Sequence, residues 1–336
     1  MRECLENVRR KKPLIHNITN YVTINDVANI LLACGGSPIM AEAAEEVEEI
    51  TSGCDGLNIN MGMLNPAKAR AMELAGVQAQ KNGHVILLDP VGAGASSFRR
   101  ETAGRLLEKI KFTAIRGNIS EIRAVAEIVG MTHSDVGKNQ GAYAAGCGMH
   151  SNAVIMNEEK GQPGTAGEIS DHSRRSGGKY KKGQPGTAGE ISRTKSRGVD
   201  AVLEEAVTEE NAEAAEEFIK ELARHTGSII AVTGKLDLVA DDKNCYRIRN
   251  GRPEMSRITG TGCQLSGMMT AFLAANRDCH LKAAAAAVCC MGLAGEKAWE
   301  YRKAGEGNAS YRNRIIDAVS LMEGDELEKG ARYEIC

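Results

Sequence analysis

Aromatic side chains are scarce: Phe, Trp and Tyr make up 4% of the 336 residues, with a single Trp. Few faces are therefore available for stacking bases or sugar rings. Lys plus Arg, at 42, does not exceed Asp plus Glu, at 44, so no cationic surplus is available for a phosphate backbone. Nucleic acid is thereby excluded as the principal partner. Long apolar runs are missing as well. The uncharged stretch Ala283 to Gly295 falls short of the roughly 20 residues that a membrane-spanning helix requires. The basic start, Met1 to Lys12, has no apolar segment behind it and does not read as a signal peptide, which points to a cytoplasmic protein.

The ten cysteines include no Cys-x-x-Cys pair and form no spaced framework, so they read as thiols, most of them small buried hydrophobes. Nucleotide motifs of the commonest kinds are also absent. The Gly-Lys pairs at 137, 178 and 234 are followed by Asn, Tyr and Leu, so there is no P-loop, and the protein-kinase loops do not occur. Gly92-x-Gly94 is half a dinucleotide fingerprint, with Ser97 where the third glycine belongs.

What is present is a globular composition, 42% hydrophobic and 26% charged, long enough to bury a sizeable core. Short β-rich runs alternate with helical ones, the pattern of a parallel sheet flanked by helices. Strands are expected at Leu57 to Asn60, His84 to Asp89, Thr113 to Arg116, Ser228 to Thr233, Asp237 to Ala240 and Cys245 to Ile248. Helices are expected at Asn65 to Lys81, Arg99 to Ile110, Ile119 to Val129 and Leu203 to Arg224, with three more between Gly262 and about Met322. One stretch breaks the alternation. Residues 131–198 hold 13 Gly and ten Lys or Arg against six Asp or Glu. Within it Lys160 to Ser170 recurs unchanged as Lys182 to Ser192. Two copies are too few for a solenoid, so the stretch reads as an insertion into a single domain spanning 1–336.

Four turns could carry chemistry. In Ile258-Thr-Gly-Thr-Gly-Cys263 a Gly/Thr turn opens into an apolar helix, where backbone N–H groups and the helix dipole can cradle a phosphoryl group, and Gly260 and Gly262 permit close approach. Cys263, in the first helical turn, is expected to have a lowered pKa there. Asp89, in Leu88-Asp-Pro-Val-Gly-Ala-Gly-Ala95, stands at the carboxyl end of a strand, where open α/β sheets bind ligands. In Ile115-Arg-Gly-Asn-Ile-Ser-Glu121, Arg116 can grip a phosphate, while Glu121 is either an Mg²⁺ ligand or the partner of an Asn118 helix cap. Thr233, before Gly234, either donates to a phosphate or closes a turn.

Read in order, these turns resemble hydroxyethylthiazole kinases of the ribokinase-like superfamily. Also carrying the resemblance are Pro13-Leu-Ile-His-Asn-Ile-Thr-Asn-Tyr-Val22, Gly36-Ser-Pro-Ile-Met-Ala41, Asn58-Ile-Asn-Met-Gly62 and Arg197-Gly-Val-Asp-Ala201. The resemblance implies a three-layer αβα fold with a mostly parallel central sheet, and ATP-dependent phosphorylation of the alcohol of 4-methyl-5-(2-hydroxyethyl)thiazole. It implies a homotrimer, with Asn20 and Met40 holding the thiazole and Gly260 beside its hydroxyethyl group. Arg116 and Thr233 would contact ATP, and Asp89 and Glu121 would organise Mg²⁺. Cys263 stands where most ribokinase-like enzymes have a catalytic Asp, leaving Cys263 and Asp89 as alternative bases. Another vitamin kinase of the superfamily, or a thiazole-binding protein without catalysis, are the competing readings.

Overall fold

The computed structural model describes residues 1–131 and 206–336. The duplicated segment, and all of the expected insertion beyond Met131, lie outside the described residues.

The chain runs α1 (Arg2–Lys11), β1 (Leu14–Ile18), α2 (Ile24–Cys34), β2 (Ser37–Met40), α3 (Val47–Ser52), β3 (Gly56–Asn60), α4 (Pro66–Lys81), β4 (Val85–Asp89), α5 (Ser97–Lys109), β5 (Ala114–Gly117) and α6 (Ile119–Ile128). It resumes with α7 (Ala212–Thr226), β6 (Ile229–Val232), β7 (Asp237–Ala240) and β8 (Cys245–Ile248). A 3₁₀ turn at Pro253–Arg257 then leads to α8 (Thr261–Ala275), α9 (His280–Glu300), α10 (Asn308–Leu321), α11 (Gly324–Gly330) and β9 (Tyr333–Ile335).

The nine strands of the described residues form one sheet in the order β2-β1-β3-β4-β5-β6-β7-β8-β9. From β2 to β6 every pairing is parallel, and β7, β8 and β9 are added antiparallel. β5 pairs directly with β6, so the chain on either side of the undescribed interval belongs to one sheet.

Both faces of the sheet are covered, because side chains alternate across a strand. In β4, Val85 and Leu87 enter one core with α1, α2 and α8 to α11, while Ile86 and Leu88 enter the other with α3 to α7. The result is the expected three-layer αβα architecture. Six of the nine described cysteines are buried, as their type predicts, whereas Cys279 and Cys336 are exposed. Among the described residues no helix is long and apolar enough to cross a membrane.

The expected strands and the three C-terminal helices are present, with ends shifted by a residue or two. One helix needs correction. Within the described residues α7 begins at Ala212, and the expected start at Leu203 lies outside them. Before it, Val207 is buried and its carbonyl accepts from Leu236 N at 3.2 Å, while Asn211 Oδ1 accepts from Thr208 N at 2.7 Å, a local turn that holds residues 206–211 out of the helix. Seven further elements, α1, β1, α2, β2, α3, α11 and β9, lie outside the expected set. β9 has no buried residue at all and exists through its ladder to β8.

Candidate active site

Strand alternation decides which polar residues meet. Leu57 and Ile59 face the α3 to α7 core, so Asn58 and Asn60 face the opposite way, under α8. Asp89 shares the face of Val85 and Leu87, and Arg116 shares that of Ala114, which also point to α8. Asn60, Asp89 and Arg116 thus lie at or near the carboxyl ends of three adjacent parallel strands, beneath the N-terminus of one helix.

That helix start is open. No side chain caps α8, so the N–H groups of its first turn are free of side-chain acceptors, the arrangement that receives anions. Gly260 has φ of +88°, and a Cβ there would stand 2.2 Å from Thr23 Cγ2. A Cβ on Gly262 would stand 2.5 Å from an Arg116 guanidinium nitrogen, so that cation lies directly against the first helical turn. Arg116 donates to Thr233 Oγ1, and its other terminal nitrogen is 3.7 Å from Asp89 Oδ2.

Asp89 is wholly buried. Its Oδ2 accepts from Asn60 Nδ2 at 2.6 Å and from Ser266 Oγ at 2.8 Å, whereas Oδ1 has no partner in the protein. Burial pushes its pKa up, against the opposing pull of Arg116, Ser266 and Asn60. An orphaned buried carboxylate oxygen at a helix N-terminus is where a substrate hydroxyl or a cation would be accommodated.

Cys263 Sγ accepts from Asn20 Nδ2 and Asn60 Nδ2, each at 3.2 Å. The expected lowering of its pKa is not what the structure shows. Burial, then the negative charge of Asp89, push the thiol up, outweighing Thr23, Arg116 and Asn20. A helix N-terminus favours a thiolate most where the sulfur is solvated, and here desolvation wins.

Glu121 forms the cap. Its Oε2 accepts from Asn118 N at 2.9 Å while Asn118 Oδ1 accepts from Glu121 N at 2.9 Å, and Oε1 accepts from Gly92 N at 3.0 Å. Burial, followed by Asp89, raises its pKa to about 7. Each oxygen keeps a lone pair, so capping is compatible with a further contact to a cation. Among the described residues no three His, Cys, Asp or Glu side chains converge as a metal cage. Asp89 Oδ1 and Glu121 nevertheless supply hard oxygen donors of the kind Mg²⁺ takes, and that ion commonly retains several waters.

Asn20 is committed within the protein: besides Cys263 it donates to Asn60 Oδ1 at 3.2 Å, and its Oδ1 accepts from Thr23 N and Thr23 Oγ1 at 3.1 and 3.0 Å. Both polar atoms of its side chain are engaged within the protein, one of them on Cys263. Met40 ends β2, two strands out from β3, and is half-buried.

Asn60, Ser266 and Asp237 join the site without a motif of their own. Ser266 had a positional signal, being three residues after Cys263 and hence on the same helix face. Asp237 Oδ1 accepts from Gly234 N at 2.8 Å and so fixes the turn carrying Thr233; burial pushes its pKa up to about 7. A hollow of about 670 Å³ opens at the opposite ends of β5 and β6, among Thr113, Ser228 and Asp241, and contains none of these groups.

The chain matches the hydroxyethylthiazole kinase family over residues 5–155 and 184–325. It is 43% identical to the hydroxyethylthiazole kinase of Clostridium acetobutylicum over 334 residues, covering 99% of each chain. To that of Ruminiclostridium cellulolyticum it is 36% identical over 329 residues, covering 98% of this chain and 94% of the relative. Among solved structures, the hydroxyethylthiazole kinase protein from Pyrococcus horikoshii OT3 superimposes with a TM-score of 0.72 at 27% identity, covering 99% of this chain and 98% of the other.

Proposed function

The chain belongs to the hydroxyethylthiazole kinase family, and from that premise we propose how its own residues perform the family's reaction. The reaction is ATP-dependent phosphorylation of hydroxyethylthiazole in thiamine biosynthesis. The observation that carries the mechanism is the orphaned Asp89 Oδ1 beneath the uncapped start of α8.

The thiazole lies between the loop that follows β1 and Met40, with its hydroxyethyl arm beside Gly260, where the lack of a Cβ leaves room. The transferring phosphoryl group is held by the first-turn N–H groups of α8 and by Arg116. Thr233 fixes the Arg116 guanidinium, and Asp237 fixes Thr233 through Gly234. Loss of the hydroxyl proton is directed to Asp89 Oδ1. Cys263, its thiol pushed up and protonated at neutral pH, lines the site and orients the alcohol. Phosphoryl transfer tolerates this division, since it depends mainly on alignment and charge neutralisation and little on a strong base. Glu121, with the charge of Asp89 beside it, would hold Mg²⁺, which when bound neutralises charge on the phosphates.

Residues 132–198 are proposed to interrupt this single domain rather than to form a catalytic part of it. Support comes from their composition, from the direct β5 to β6 pairing around them, and from the family match, which skips 156–183. A homotrimer is proposed as well; exposed Tyr21, Val22 and Met63, on loops at the carboxyl ends of β1 and β3, are suited to burial against another subunit. An ATP-consumption assay with the thiazole alcohol, run on the full chain and on a version lacking 132–198, tests the set. Turnover of hydroxymethylpyrimidine but not of the thiazole would reverse the assignment, and light scattering reads the assembly.

A further inference from the structure

Lys68 is out of place by every local rule. It lies in the first turn of α4, where the helix dipole disfavours a cation, and it is 2% exposed, where a lysine is rarely found. Its backbone N–H donates to the Asn65 N-cap at 2.9 Å, so the turn itself is well formed. Helix formation gives no reason for the ammonium.

Its partners supply one. Nζ donates to Thr19 O at 2.7 Å, pairs with Glu42 Oε2 at 2.8 Å, and lies 4.1 Å from the centre of the Tyr21 ring. Tyr21 in turn donates from its hydroxyl to Glu42 Oε1. Three directions of donation from one ammonium are thereby used. They reach two separate loops: Thr19 and Tyr21 follow β1, and Glu42 follows β2. The first of these loops carries Asn20, and the second begins directly after Met40.

We propose that Lys68, with Glu42 and Tyr21, is a positioning brace that sets the separation of these two loops and so the width of the thiazole pocket. Lys68 touches no reacting atom. It acts through the Thr19 peptide, which is joined to Asn20, and through Glu42, two residues beyond Met40. The brace rests on the placement of the thiazole given above. It stands apart from Arg116 and Thr233, so nucleotide binding is independent of it.

Steady-state kinetics of Lys68→Met, Lys68→Arg, Glu42→Gln and Tyr21→Phe, beside thermal unfolding of each, test the brace. Lys68→Met is expected to raise KM for the thiazole alcohol by about tenfold while KM for ATP stays within about twofold, the pattern of lost ground-state binding. Lys68→Arg, which can still reach a carbonyl and a carboxylate, is expected to recover part of that loss, a rescue that mere space-filling does not predict. If Lys68→Met does not fold, Glu42→Gln and Tyr21→Phe carry the test from the exposed end, and a selective rise in thiazole KM supports the brace. An unchanged thiazole KM in folded variants, or an equal rise for ATP, overturns it. Absence of thiazole turnover by the wild-type protein defeats the proposed function instead, so the two failures are separable.

Discussion

Asn60 donates from Nδ2 to Asp89 Oδ2 at 2.6 Å, across the register pair that joins β3 to β4. The same amide reaches Cys263 Sγ, so a single neutral side chain holds both the Asp89 carboxyl and the Cys263 thiol. Asn60→Asp puts a second carboxylate against Asp89, and the two must share a proton. A fall in kcat of about ten- to hundredfold is expected, the equivalent of losing a hydrogen bond to a charged group. Unchanged kcat in steady-state assays would show that this amide does no more than fill space.

Asp89 and Cys263 differ in what their loss should do. Asp89→Asn removes the orphaned acceptor and is expected to lower kcat by at least about a hundredfold. Cys263→Ala is expected to lower turnover without abolishing it, because the thiol is protonated and its support from Asn20 and Asn60 survives. Turnover by Cys263→Ala equal to wild type at saturating substrate would remove the thiol from the mechanism.

Arg116 should be sensitive to a single methyl group. Gly262→Ala places a Cβ 2.5 Å from its guanidinium, which must move off the helix start. KM for ATP is expected to rise by about tenfold with little change in KM for the thiazole alcohol, since one charge-assisted contact is weakened. Thr233→Val, which removes the other restraint on the guanidinium, should act in the same direction, and paired KM measurements for both substrates decide.

The Asp237 carboxyl has a folded pKa raised to about 7 from its usual 3.8. The folded state therefore binds more protons than the unfolded one between those values, and stability falls as pH rises through that window. His16 works oppositely, because burial lowers its pKa and acid then destabilises the fold, so the comparison must be with a variant. Asp237→Asn keeps an acceptor for Gly234 N and is expected to lose less thermal stability than wild type between pH 4 and 7.5, by about a few degrees. Parallel pH dependences of melting for the two proteins would contradict the raised pKa of this carboxyl.

Much of this was legible in the chain because it is written locally. Short β-rich runs set between helix-like stretches announced β3, β4 and the helix between, and Asn118 with Glu121 announced a cap that the structure realises in full. The glycines of Thr259-Gly-Thr-Gly-Cys263 announced an open helix start, because a positive φ and a near approach leave no other residue. Where local sequence gave two answers, the third dimension chose. Cys263 in a first helical turn should ionise easily, yet burial beside Asp89 reverses the shift. Lys68, near the start of a helix, would ordinarily be solvated, yet Thr19 and Glu42, 49 and 26 positions earlier in the sequence, enclose it.

The sequence by itself determined the αβα architecture, the family and the four turns that bear the chemistry, since each depends on periodicity or on residues close along the chain. Only the tertiary structure decided that Asn60, Asp89, Cys263 and Ser266 form one hydrogen-bonded group, and which oxygen of Asp89 is left free. Those contacts join residues as far apart as Asn60 and Cys263, 203 positions, and their energies come from desolvation and from charges across strands, which no local pattern encodes.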